Sequence, residues 1–170
     1  MQHLEVIQQL QRNAATFRTL LEGQSPAEYT WRPAPGKWCL LEIVCHLYDE
    51  EREDFRARVR HVLEKPTQPM TPIFPVNWVA ERQYIEQDYD KMVQKFLQTR
   101  AESITWLHSL RQPAWNNVYQ HPELGPLSAQ LFLSNWLAHD YLHFRQINRL
   151  KYAYLETVLN TEPLDYAGNW

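Results

Sequence analysis

Helix breakers are confined to the gaps between four long stretches of this chain, and that placement excludes most folds. Proline occurs eleven times, mostly outside the stretches in which apolar residues recur at helical spacing, and glycine occurs only four times. Proline removes a backbone donor and clashes with the preceding turn, while glycine loses the most chain entropy on ordering. Long runs with little of either are therefore free to be helices, whereas a sheet full of tight turns needs the opposite distribution.

The first stretch covers residues 2–22, with Leu4, Ile7, Leu10, Ala14, Phe17 and Leu21 on one face. Gly23 and Pro26 end it, and Pro33-Ala34-Pro35-Gly36 makes a stiff connection. The second, 38–63, lines up Leu41, Val44, Cys45, Tyr48, Phe55 and Val59, and a proline-rich loop follows it. The third, 88–111, has Asp88 as its N-cap and points Met92, Phe96, Ser103, Trp106 and Leu110 inward, stopping before Pro113. After a loop through Pro122 and Pro126, Ser128 caps the fourth, 128–154. Residues 155–170 read as a tail on the surface. Four amphipathic helices with moderate connections predict one all-α domain over 1–170, a four-helix bundle.

Charge and cysteine usage remove several functions. A net charge of −3 does not suit a phosphate-binding partner, so nucleic acid is excluded. Arg52, Arg56, Arg58 and Arg60 are interleaved with Glu50, Glu51, Glu53 and Asp54, which predicts a solvated helix face of i,i+4 pairs. No apolar run approaches the ~18 residues of a membrane span, and Met1–Glu5 has no secretory character. Cys39 and Cys45, six apart on one helix, are turned about 240° from each other and cannot pair, which predicts a reduced, cytoplasmic protein. Seven Trp and nine Tyr are many for one small bundle, so part of them is expected to cover the interface of a homodimer.

The chemistry rests on histidines. His139 and His143, four apart, lie about 40° from each other and one turn along, which lets two imidazoles converge on one ion. Chance alone supplies roughly 0.3 such pairs in a chain with this many histidines, so the spacing is weak by itself. Its surroundings matter more. Phe132, Trp136, Ile147 and Leu150 share that face, and His46 sits among Leu41, Val44, Cys45 and Leu47 on the second helix. Buried histidines need partners, and three imidazoles from two facing helices make a three-ligand site with open positions. From the residues alone, this reading and that of packed core histidines stand level. His3, His61, His108 and His121 read as surface or loop residues. Glu42, Asp49, Glu50 and Asn135 are candidates for orienting an imidazole or taking a proton, and Trp38, Trp136 and Tyr141 for walling a pocket. Cys39, near a helix start, reads as a small packed residue rather than a reactive thiol. With no GxSxG, CxxC or phosphate loop, no catalytic residue is assigned.

Two blocks carry a family resemblance. Gly36-Lys37-Trp38-Cys39 with Leu41-Glu42-Ile43 and His46-Leu47-Tyr48-Asp49-Glu50-Glu51-Arg52 resembles the second-helix signature of the DinB-like superfamily. His121-Pro122-Glu123-Leu124-Gly125-Pro126-Leu127 followed by His139-Asp140-Tyr141-Leu142-His143-Phe144-Arg145-Gln146-Ile147 resembles that of its fourth. The resemblance implies a DinB/YfiT-like four-helix bundle of up-down-down-up type, with His46, His139 and His143 as a metal-binding triad. It also implies a metal-dependent hydrolase, or a transferase or isomerase using bacillithiol, mycothiol or glutathione. Cys39 departs from the Ser or Thr common at that position. The resulting expectation is an enzyme whose divalent ion, zinc by default and nickel as the alternative, activates water or a low-molecular-weight thiol. Its substrate would be a small neutral or zwitterionic electrophile. The alternative is a non-catalytic metal-binding protein of the stress response.

Overall fold

The computed structural model describes residues 2–161 and 163–168. The first helix, α1 (His3–Leu21), buries Val6, Ile7, Leu10, Asn13, Phe17 and Leu21, while Leu4 lies exposed. A five-residue helix, α2 (Pro26–Thr30), sits in the stiff connection, started by Ser25 and Glu28, whose side chains bond each other's backbone N–H. The second stretch is not one regular helix. It runs as α3 (Leu40–Asp49), a π-helical segment over Glu50–Phe55, and α4 (Arg56–Glu64).

The proline-rich loop carries a helix of its own, α5 (Pro75–Glu81), with Pro75 in the first turn where a missing N–H costs nothing. Then come a 3-10 turn at Tyr84–Glu86 and α6 (Tyr89–Ser109), whose Asp88 cap accepts the Lys91 N–H. The loop expected before the last helix is instead an antiparallel hairpin, β1 (Val118–His121) and β2 (Gly125–Ser128), in register from Val118↔Ser128 to His121↔Gly125. Its four-residue strands are too short for alternation to be legible, and Gly125 supplies the φ of +74° that the turn requires. The last helix, α7 (Ala129–Val158), is capped by Ser128 and runs past 154, since no breaker intervenes before Pro163. Part of the expected tail 155–170 is therefore helix, and its residues 162, 169 and 170 lie outside the described residues.

Contacts along the helices give their directions. Going up α1, Leu10, Phe17 and Leu21 meet Arg100, Phe96 and Tyr89 of α6 in falling order, so these two are antiparallel. Asn13, Phe17 and Leu20 meet Asp140, Phe144 and Lys151 in rising order, so α1 and α7 are parallel. Glu51 and Arg56 pair with Arg100 and Glu102, making the second stretch parallel to α6. His46 and Phe55 meet His143 and Trp136, making it antiparallel to α7. The four main helices thus form an up-down-down-up bundle, as the resemblance implied.

One apolar cluster holds Phe17, Leu21, Leu41, Val44, Phe96 and Ile147, and a second holds Leu10, Phe55, Val59, Ile104, Leu133 and Trp136. On every main helix the boundary between them is polar: Asn13 on α1, Glu50 and Glu51 on the second stretch, Arg100 on α6, and Asp140 and His143 on α7, all buried. A polar layer crosses the bundle at mid-height, and the histidines lie at one side of it.

Candidate metal centre

The layer is built on Arg100. Its Nε donates to Glu51 Oε1 at 2.9 Å, and its two terminal nitrogens grip Asp140 at 2.8 and 2.7 Å. Asn13 adds a 2.9 Å bond to Asp140, and the Trp136 indole donates to Glu51 at 2.9 Å. Burial works against the Arg100 charge, but Glu51 and Asp140 outweigh it and hold the guanidinium above its ordinary pKa. Glu50 and Glu51, expected on a solvated face, are among the most buried residues of the chain. Both point into the bundle interior, where Arg100 pairs with Glu51.

Beside this layer the structure brings His46, His139 and His143 together. One ring nitrogen from each lies within 4.8 Å of the others, and the Nε2 atoms of His139 and His143 are 3.0 Å apart. His46 and His143 are buried, and His139 is half-buried. Burial depresses all three pKa values: His46 to about 3 with help from His143, His139 to about 2 with help from His143, His46 and Arg100, and His143 to about 4. At neutral pH the cluster is therefore three uncharged imidazoles, each with one lone-pair nitrogen. Among the described residues, Nδ1 of His46 and of His143 is buried without a hydrogen-bond partner, which is costly in a protein interior and unusual without a reason.

The flanking side chains divide sharply. Among the carboxylates considered, Glu50 faces the cluster, its Oε1 lying 4.0 Å from His46 Nδ1. Burial, and then Asp54, push the Glu50 pKa well above the usual carboxylate range. Glu42 instead pairs with Arg32 and accepts the Cys39 N–H, and Asp49 is bound by Tyr84, Arg82 and Arg52. Asn135 bonds the Leu131 carbonyl. Trp38 packs its ring 4.9 Å from His46, and Phe55 lies 4.8 Å from His139. Trp136 is committed to Glu51 in the core, and Tyr141 is exposed, so neither walls the cluster. Both cysteines are free and buried, and burial raises both thiols, Cys45 to about 12, so Cys39 is no activated nucleophile.

The other histidines stay apart from the triad. His3 stacks on Trp115, His61 bonds the Gln68 carbonyl, and His108 reaches Gln11. His121 differs from the surface role read from the sequence: it borders a cavity of about 470 Å³ that also has His139 in its wall. Sequence reasoning also missed Arg100 and Asp140. The available signal was a charged residue inside an apolar stripe, four positions after Phe96 and four after Trp136 respectively.

The sequence pattern of the DinB superfamily matches residues 9–147. No curated protein sequence matches the chain. Among solved structures it resembles YfiT from Bacillus subtilis, described as a probable metal-dependent hydrolase with an unusual four-helix bundle topology, at 18% identity and a TM-score of 0.76. The likeness covers 88% of this chain and 85% of that one. At that identity it establishes the bundle.

Proposed function

This chain belongs to the DinB superfamily, and from that premise we propose that it is a metal-dependent hydrolase holding one divalent ion on His46, His139 and His143. The observation that carries the proposal is the cluster itself. Three neutral imidazoles are held within ligating distance, and the buried Nδ1 atoms of His46 and His143 have no hydrogen-bond partner among the described residues. Core histidines that serve only packing find partners for both ring nitrogens; here His139 and His143 meet Nε2 to Nε2, and His46 and His143 each keep a bare Nδ1. The donor set fits zinc, with nickel as the alternative.

When bound, the ion supplies Lewis acidity and can bring the pKa of a water molecule toward ~7. The chain's own residues do the rest. His139 is the least buried of the three and borders the cavity, so the open side of the site faces the space where a substrate would lie. Glu50 is positioned to orient His46 and to hold a proton at Oε1 beside the cluster. Phe55 and Trp38 close the flanks with apolar surface and restrict water to that open side. The description of YfiT as a probable metal-dependent hydrolase supports the same reading.

The test is a panel of activated esters and amides, run with zinc-loaded wild type, the chelated protein and His143→Ala. Turnover that vanishes with chelator and with His143→Ala, and needs no thiol, is the expected result. Turnover that starts only when a low-molecular-weight thiol is supplied would reassign the chain to thiol transfer. No turnover above the His143→Ala background would favour the non-catalytic metal-binding alternative.

A further inference from the structure

The cavity beside His139 has a composition that limits what can enter it. It lies between α4, α7, the hairpin and the start of α5, and most of its wall is apolar, with Phe55, Leu127, Phe132 and Leu142 prominent. The charged side chains that border it, Asp54 and Arg58, neutralise each other across a 2.6 Å bond, so apart from an ion on the triad no unpaired side-chain charge borders it among the described residues. Large apolar side chains stand exposed around it: Leu124, Leu131 and Leu142 belong to the wall, and Phe74 lies between two residues that do. Exposed apolar surface gathered around a cavity marks a binding site better than the same residues scattered.

One polar group in the wall has a defined and uncommitted donor. His121 accepts the backbone N–H groups of Glu123 and Leu124 at its Nδ1, both at 3.1 Å. A nitrogen that accepts cannot carry the proton, so in the neutral ring the proton is on Nε2, the atom left over to donate. The hairpin turn thus fixes both the orientation and the tautomer of a side chain that shares the cavity with His139.

We propose that this cavity is the acyl or aryl pocket for the substrate, that the substrate is a neutral ester or amide with an apolar acyl or aryl group, and that His121 is the positioning residue that donates from Nε2 to its polar end. The proposal rests on the hydrolase reading for the word substrate, but not for binding. Neutral amides, which resist turnover, therefore make the probe. Butanamide, hexanamide and octanamide are titrated calorimetrically into the zinc-loaded protein, with zinc content measured in every variant.

Affinity should rise roughly fourfold for each added methylene, as expected for apolar burial. Ala138→Trp, at an exposed position bordering the cavity, should fill the space and abolish octanamide binding while the zinc content stays unchanged. His121→Asn keeps a side-chain oxygen for the turn's two N–H groups and withdraws the distal donor. It should weaken all three amides by a similar factor of about three to ten and leave the chain-length trend intact. Amides that bind without chain-length dependence, or equally well to Ala138→Trp, would overturn the pocket. Equal affinities in wild type and His121→Asn would overturn the role of His121. Chain-length-dependent amide binding with no ester turnover would sink the hydrolase reading and leave the pocket standing, whereas ester turnover without amide binding would do the reverse.

Discussion

Arg100→Met is the substitution from which the bundle should suffer most. Methionine keeps much of the aliphatic length but removes a guanidinium whose nitrogens lie 2.7 to 2.9 Å from two carboxylates. Glu51 and Asp140 are 2% and 0% exposed, so neither can turn to water, and each keeps only a neutral donor, Trp136 or Asn13. Breaking a buried pair from one side costs about 3–5 kcal/mol, because the remaining charge is uncompensated. Here two carboxylates remain, which places the expected loss at the upper end, about 5 kcal/mol. Against a typical total of about 5–15 kcal/mol that is a third or more of the stability, and for a chain of this size it lowers Tm by roughly 10–20 °C. Urea unfolding followed by tryptophan fluorescence measures the loss. The mechanism, as distinct from a packing defect, is checked by adding Glu51→Gln and Asp140→Asn, which keep shape and acceptors but discharge both groups. The triple variant should recover more than half of the loss. A single-variant loss below about 1 kcal/mol, or a triple variant no more stable than Arg100→Met, would refute the reasoning.

Three further outcomes are expected. Metal analysis should find about one zinc or nickel per chain, retained in His61→Ala and His121→Ala and greatly weakened in His46→Ala, His139→Ala and His143→Ala; equal retention in all five would dismiss the triad. The chelated protein should lose stability on acidification, because the three histidines sit at about 3, 2 and 4 when folded against an ordinary 6.5. Between pH 6.5 and about 4 the unfolded chain then binds more protons, each histidine contributing up to about 1.4 kcal/mol per pH unit, and Glu50, shifted the opposite way, offsets part of it; a Tm flat across that window would contradict the burial argument. Light scattering at micromolar concentration should give the mass of a homodimer, and a monomer mass throughout would count against the interface role expected for the surplus aromatics.

What was legible in the sequence followed from periodicity and from chemistry confined to one helix. The apolar stripe of α7, the Ser128 and Asp88 caps and the i,i+4 histidines are local features, and each stands where the spacing put it. The polar layer was not legible, because its logic is non-local. Arg100 on its own reads as a solvated residue interrupting a stripe, and only its partners, 49 and 40 positions away, make it a core residue. The hairpin and α5 were missed for a related reason: strands of four residues and a seven-residue helix carry too few periods to rise above loop composition. His121 read as a loop residue because nothing local says that the hairpin folds back against α7.

Around the start of the π-helical segment one stretch of helix serves many partners. Asp49, Glu50 and Glu51 are consecutive and all buried, yet each has a different partner: Tyr84 and Arg82 for Asp49, the histidine cluster for Glu50, Arg100 and Trp136 for Glu51. The regular turns of α3 just before the π segment are already buried on every side, from Leu40 to Leu47, so that segment continues an enclosed stretch. The π segment ends on Phe55, which packs against both His139 and Trp136. The ion pairs of Arg100 then fix this turn against α6 and α7 on one side of the bundle, at Glu51 and Asp140, each one residue from a member of the histidine site, Glu50 and His139. Glu50 reaches toward His46 across one ordinary i,i+4 turn, and the buried charges of the polar layer tie together the helices that carry His46 and His139.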